Sequence, residues 1–460
     1  MIMLNQFDIV IGNPPYVQIQ KFSGKKEQKE WESQKYETFA KTGDIYSLFY
    51  EKGNMILKEK GLLCFITSNK WMRAGYGEST RKYFSEKTNP LLLVDFGGYK
   101  VFESATVDTN ILIFEKTKNK NKTIACSIQK DFNEKININE YINKNSVILN
   151  ELNSEGWIIL SKKEFDIKKK IEASGTPLKD WDISINYGIK TGFNEAFIID
   201  GKKKDELIEA DPKNAEIIKP TFRGRDIQRY KDYFSDLWII FISWHFPLHN
   251  DSSIQGNSLK AEEEFKIQYP YIYSHLENYK KELSARNKAE TNINYEWYAL
   301  QRCAATYYKE FEKEKIVWAE TIKIYSDGIR NFPRFTFLSQ KSQYLDKTCF
   351  MITSKNDQVK LKYILAVLNS KLLEFLILNL VITLGSGSLG LQKAFIENIP
   401  IPKISEEKQI SFIEIVDKIM EKKKLGENTQ ELEDKIDIMV YKLYDLTIDE
   451  IKIIDSDFKK

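Results

Sequence analysis

An α/β layer, followed by a mixed α+β region and a C-terminal helical hairpin, is the fold class this sequence predicts. Three observations carry that expectation. Apolar strand-like runs alternate with helical periodicity over the first 116 or so residues, as βα units do. The stretch after them is rich in Trp, Tyr and Phe, broken into short mixed segments and turns such as "NYGIKTGFN". Two charged helical stretches, "EEKQISFIEIVDKIMEKKK" and "TQELEDKIDIMVYKLYDL", close the chain around a turn at Gly426.

Element by element, "FDIVIG" reads as an apolar strand. A polar loop leads to "DIYSLFYEKGNMILKEKG", where Ile45, Leu48, Phe49, Ile56 and Leu57 fall on helical spacing and Gly61 is expected to stop the helix. "LLCFITS" and "LLLVDFGG" follow as strands on either side of a helical stretch around residues 73–86, and "TNILIFEK" is the last strand, in a mostly parallel sheet. Residues 119–156 shift to Lys, Asn and Ile and read as a connecting strand pair and linker. The expected domains are therefore 1–118, a linker 119–156, 157–403 and a helical segment 404–460.

At 460 residues the chain has room for two or three cores, and 42% hydrophobic against 29% charged residues is the balance of a globular protein. A net charge of +3, from 69 basic and 66 acidic side chains, means that any basic face must be local. Cys64, Cys126, Cys303 and Cys349 are far apart, with no C-x-x-C pair, so neither a zinc site nor a disulfide framework is expected and a reducing cytoplasm fits best. The longest apolar run, 372–384, is interrupted by Glu374 and Asn379 and falls short of the roughly 20 residues needed to span a bilayer. It is expected as a buried helix, with no membrane partner. No secretory leader is read before the first strand. His245 and His249 are separated by Pro247, and Glu264-Phe265-Lys266 with Asp251 is a weak nuclease half-motif, so no metal site is expected.

The chemistry sits where the first strand runs into Asn13-Pro14-Pro15-Tyr16. Two prolines in succession fix two φ angles and hold whatever the turn carries in place. An amine on an aromatic ring is a poor nucleophile because its lone pair is delocalised. The Asn13 side-chain oxygen and the Pro14 carbonyl can together accept both amino hydrogens, favouring a tetrahedral nitrogen whose lone pair points at an incoming methyl group. Tyr16 offers a flat face for the ring to stack on. Read without that chemistry, the same four residues are a tight turn capping a strand.

With these residues the sequence resembles the gamma-class N6-adenine DNA methyltransferases of the TaqI type, including the methylase part of type IIG restriction-modification enzymes. "FDIVIGNPPYVQ" looks like their motif IV, "GDIYSLFYEKG" like the following motif, and "VFESATVDTNILIFEK" like motif VIII. The resemblance implies a partial Rossmann-like methyltransferase domain and S-adenosylmethionine as donor. It implies a donor site built from Asn13, Pro14 and Phe49, with Pro15 as the rest of the catalytic turn, and Tyr16 and Phe102 packed on a flipped adenine. "GIKTGFNEAFIID", "IIKPTFRGRDIQRY", "WYALQRC" and "LGSGSLGLQKAFIENIPIP" resemble blocks of a TaqI-like specificity domain. That implies double-stranded DNA as partner, gripped by Arg223, Arg225 and Arg229, with Lys393 beside Gly385, Gly387 and Gly390 near a phosphate.

In such enzymes a Gly-rich turn and an acidic residue for the donor's ribose precede the proline motif, and only six residues stand before Phe7. The expectation is a second polypeptide carrying that motif I, and possibly a nuclease, which would pair with the "FDIVI" edge, or else that this is the downstream part of an interrupted gene. The alternative is a non-catalytic DNA-recognition subunit, or the inactive remnant of a type IIG enzyme. Methylation of RNA or of protein glutamine shares the same turn, and the specificity-like region argues against it.

Overall fold

In the computed structural model the residues described are 6–97, 99–102, 107–128, 132–150, 152–254, 256–286, 291, 293–323, 325–326, 329–330, 332–340, 342–356, 359–381, 383–384 and 388–458. The chain divides into two compact units, residues 1–169 with 376–389, and residues 170–375 with 390–460.

The first unit is a six-stranded sheet with helices on both faces. In chain order it holds β1 (Phe7–Gly12), α1 (Lys26–Ser33), α2 (Tyr46–Ile56), β2 (Leu57–Ser68), α3 (Glu78–Lys87), β3 (Asn89–Asp95), β4 (Thr109–Glu115), β5 (Thr123–Ser127), α4 (Ile138–Asn145) and β6 (Val147–Leu149). The strand order is β1-β2-β4-β3-β5-β6. β1–β2 and β3–β5 pair in parallel, whereas β2–β4, β3–β4 and β5–β6 are antiparallel. The sheet is thus mixed rather than mostly parallel. No helix among the described residues separates β3 from β4, and adjacent strands joined without a helical crossover run antiparallel.

Side chains alternate between the two faces along each strand. Leu93, Leu112, Phe114 and Ala125 join Tyr46, Tyr50, Trp71, Phe84 and Trp157 in one core, on the α2 and α3 side. Val94, Cys126 and Ile111 turn the other way, to Tyr141 and its neighbours on α4. The strand pair expected in 119–156 does form, but as β5 and β6 it extends the sheet. Those residues are not a linker, because Thr123, Ala125 and Cys126 are fully buried. Gly61 lies inside β2 and stops no helix; α2 ends at Ile56, where Leu57 turns extended.

In the second unit, one four-stranded sheet runs in the order Tyr344–Leu345, Ile218–Phe222, Leu237–Ile240, Ile198–Asp200. Another runs Phe335–Leu338, Lys315–Ala319, Cys349–Ser354, Ile183–Tyr187. The predicted hairpin is present as Glu406–Leu425 and Gln430–Leu443, with Gly426 at φ +75° closing the first helix in the left-handed conformation glycine tolerates best. A short helix, Ile448–Ile454, follows.

Among the described residues no single helix is long and apolar enough to cross a membrane. Leu361–Leu368 and Lys371–Leu380 are bent 61° apart, and 372–377 are buried as expected of a core helix. Each of the four cysteines is free.

Candidate functional site

β1, β2 and β3 run in the same direction, so their carboxyl ends share one edge of the sheet. Ligands of open α/β sheets bind outside that edge. Asn13 follows β1 there, Ser68 ends β2, and Asp95 ends β3.

The proline corner is partly open to solvent. Pro14 is buried, Asn13 and Pro15 are exposed, and Tyr16 is half-buried. The Tyr16 hydroxyl donates to Asn13 Oδ1 at 2.8 Å, with the Ile66 carbonyl as an alternative acceptor at 3.3 Å. Burial raises the Tyr16 phenol above its ordinary pKa, so at neutral pH it remains a donor. Its ring meets Tyr46 edge-on, with centroids 6.4 Å apart at 88°. No described residue donates a hydrogen bond to the Pro14 carbonyl.

The chain after the corner is tied to the segment that starts α2. Ile19 N–H donates to the Gly43 carbonyl at 2.8 Å, and Ile45 N–H to the Val17 carbonyl at 2.9 Å. Behind them Tyr76 donates to Asp44 at 3.1 Å, and its hydroxyl lies 3.2 Å from that of Tyr46. On the sheet side, Tyr50 and Thr67 share a hydrogen bond, and Thr67 and Trp71 both donate to Asn110 Oδ1. The corner therefore sits against a buried polar network through the Tyr16–Tyr46 contact and is tied to the chain before α2 by the backbone bonds of Val17 and Ile19.

Phe49 is 45% exposed on α2. Phe102 is half-buried beyond β3, and residues 103–106, quoted with it for motif VIII, lie outside the described residues. Sequence reasoning missed a cluster at the same sheet edge. Asp95 is 2% exposed and accepts from Asn69 Nδ2 at 2.8 Å and Gly97 N–H at 2.9 Å, with Arg73 at 3.5 Å. Burial, then the charge of Asp95, raises the Asp108 carboxyl. An acid inside the apolar "LLLVDFGG", and Asn and Arg just after "LLCFITS", were the available signal.

The three arginines of the 223–229 turn have different surroundings. Arg225 is exposed. Arg223 bonds Asp226 twice, at 2.9 and 3.2 Å. Arg229 departs from the expected DNA contact: it is 15% exposed, donates to Glu433 at 2.7 Å and to the Pro333 carbonyl at 3.1 Å, and is part of the fold. Lys393 lines an open groove and lies 4.0 Å from Glu397. Gly385 and Gly387 lie outside the described residues, whereas Gly390 is half-buried. His245 is held by Glu296, and no group of three or more His, Cys, Asp or Glu among the described residues is placed to hold a metal.

Comparison with known proteins agrees with this anatomy. Residues 2–102 match the family model of the Eco57I restriction-modification methylase, and residues 219–401 that of the TaqI-like C-terminal specificity domain. The type II restriction enzyme and methyltransferase RM.Eco57I of Escherichia coli is 26% identical over 393 residues, covering 80% of this chain and 38% of the relative. The type II methyltransferase M.BstVI of Geobacillus stearothermophilus is 25% identical over 315 residues, covering 64% of this chain and 51% of the relative. The chain thus spans about half or less of these relatives. Among solved structures, the type IIL restriction-modification enzyme MmeI in complex with DNA superposes with a TM-score of 0.59 at 12% identity, covering 97% of this chain and 56% of that one. That likeness is one of fold.

Proposed function

From a chain that joins an Eco57I-type methylase segment to a TaqI-like specificity domain, we propose the catalytic and DNA-reading portion of a restriction-modification methyltransferase acting on the N6 amine of adenine in duplex DNA. The observation that carries this is the Asn13-Pro14-Pro15-Tyr16 corner at the carboxyl edge of the sheet, with Asn13 exposed and its Oδ1 held by the Tyr16 hydroxyl.

Asn13 Oδ1 and the Pro14 carbonyl take the two amine hydrogens and turn the nitrogen lone pair away from the ring. The Tyr16 hydroxyl can stay on the second lone pair of Asn13 or move to the Ile66 carbonyl, so the acceptor is available without breaking the corner. Tyr16 and Phe102 stack on the flipped base. The exposed ring of Phe49 and the exposed side chain of Asn13, next to Pro14, fit S-adenosylmethionine, which supplies the electrophilic methyl carbon when bound. Neither an amide nor a carbonyl oxygen is a base, so the proton shed by the nitrogen passes to solvent.

The free edge of β1 supports a partner. It pairs with β2 on one side, with no other described strand beside it, and exposes Phe7, Ile9 and Ile11 at 49%, 63% and 76%. Apolar edges of this kind take up another strand. We assign that place to the strand carrying the Gly-rich donor-binding turn, on a second polypeptide or a further segment. The reaction belongs in the cytoplasm, where the host's DNA is.

The test is Asn13→Ala in the reconstituted enzyme. Methylation of duplex DNA, read as transfer of labelled methyl, should be abolished while duplex binding stays within about twofold. Unchanged methylation would remove the role given to Asn13.

A further inference from the structure

The second unit carries a basic, aromatic groove that the Arg223–Arg229 turn does not explain. Its volume is about 880 Å³, and it is open to solvent. Three stretches far apart in sequence are laid side by side there by main-chain bonds. Ile189 N–H donates to the Leu345 carbonyl at 2.7 Å and Gly188 N–H to the Cys349 carbonyl at 2.9 Å, while Lys190 and Arg302 exchange N–H···O bonds at 3.2 and 2.9 Å. Gly188 is obligatory at this crossing, since a Cβ there would lie 1.8 Å from the Asp346 carbonyl oxygen. Lys347, Lys190 and Arg302 therefore stand on adjacent strands of chain, and Lys393 enters from the helix Lys393–Ile396. Against these four cations the lining holds two carboxylates, Glu320 and Glu397.

An aromatic platform completes the groove. Tyr187 is 52% exposed and leans on Phe350 at 5.3 Å. Phe350 is in turn stacked on the buried ring of Trp318 at 5.2 Å and 10°. A rigid, half-exposed ring beside several cations is a combination that takes a sugar-phosphate backbone, the ring against a deoxyribose face, rather than a small anion.

We propose that this groove, with Lys190, Arg302, Lys347 and Lys393 on phosphates and Tyr187 against the strand, is a duplex-DNA track of the specificity region. It rests on the reading of the chain as a DNA methyltransferase and adds Tyr187, Lys190, Arg302 and Lys347 to Lys393, which the resemblance already sets near a phosphate.

The experiment is fluorescence anisotropy of the full chain with a labelled DNA duplex across a salt series. It compares the unaltered chain with Arg302→Glu, the double variant Lys347→Glu/Lys393→Glu, Tyr187→Ala, and a control, Lys435→Glu, on an exposed helix position outside the groove. Circular dichroism checks that each is folded. Each phosphate contact removed should make the plot of log affinity against log salt shallower by about one. Arg302→Glu and Tyr187→Ala should each weaken binding at least about tenfold, with the control within about twofold. Groove variants that bind like the unaltered chain, or lose no more than the control, overturn the proposal and leave the methyltransferase reading standing. An unaltered chain that binds no duplex overturns both.

Discussion

Replacing Arg229 separates a fold contact from a DNA contact. Arg229→Ala strips the nearest cation from Glu433 and leaves only Lys423, at 3.1 Å, beside it. Burial works against ionising Glu433, yet Arg229 first, then Thr429 and Lys423, outweigh it and hold the carboxyl at about 2 against an ordinary 4.5. At about 1.4 kcal/mol per pH unit, that difference corresponds to roughly 3 kcal/mol of folding free energy, the upper bound on what removing Arg229 costs through Glu433, since Thr429 and Lys423 remain. It agrees with the roughly 3–5 kcal/mol lost when one partner of a buried pair is removed. Because the folded carboxyl titrates below its unfolded value, this stabilisation is complete above about pH 4.5 and fades as the pH falls toward 2. The variant should therefore unfold in urea up to about 1 M earlier at pH 7, followed by tryptophan fluorescence, taking a slope of about 3 kcal/mol per molar for a large unit. The gap should narrow below pH 4. Substituting both partners by apolar residues, Arg229→Met with Glu433→Leu, should restore most of the loss. An unchanged urea midpoint combined with weaker DNA binding would refute the structural role and return Arg229 to the DNA surface.

Asp437 makes the opposite pH prediction. Burial pushes its carboxyl up to about 7, so its stabilising contribution is intact below about pH 4 and is lost as the pH rises through 7. Asp437→Asn keeps the acceptor that Lys371 N–H reaches at 2.8 Å, so it should raise the melting temperature at pH 8 and leave it nearly unchanged at pH 4. Equal shifts at both pH values would count against burial as the cause. Tyr16→Phe removes the hydroxyl on Asn13 and keeps the ring; about 1 kcal/mol, or roughly fivefold, should be lost from methylation. Quenching of 2-aminopurine placed at the target base should survive in Tyr16→Phe and disappear in Tyr16→Ala; survival in both would deny the stacking role. Ile9→Lys with Ile11→Lys should leave the melting temperature of the chain unchanged and abolish association with the donor-binding polypeptide in sedimentation. Undiminished association would mean that the β1 edge is not where it docks.

Local pattern made much of this fold legible. β1, α2, β3, β4 and the C-terminal hairpin are each written in short-range periodicity and turn residues, and they are where the sequence places them. What local pattern does not encode is who pairs with whom. Gly61 looked like a helix stop because a glycine after a helical run usually is one. Here α2 gives way to β2 four residues earlier, and the glycine passes Asp8 and Leu57 inside the strand. The polar composition of 119–156 concealed that Ala125 and Cys126 face opposite cores. For the proposed site, the four-residue corner could be named from sequence because its residues are contiguous. Asp95 with Asn69 and Arg73 was not, since its members meet only once the strands align. Arg229 misled for the same reason: its partner Glu433 lies 204 residues away.

The main-chain pairing of Lys190 with Arg302 bears on how such a domain diversifies. When neighbouring positions are registered by backbone rather than by their side chains, those side chains can be exchanged without disturbing the frame that presents them. Gly188 is the invariable hinge-pin of that frame, and positions 187, 190, 302 and 347 are its replaceable type. Libraries that randomise those four while keeping the glycine should yield folded chains that differ in duplex affinity and its salt dependence while keeping their target sequence, because backbone contacts position the DNA without reading its bases.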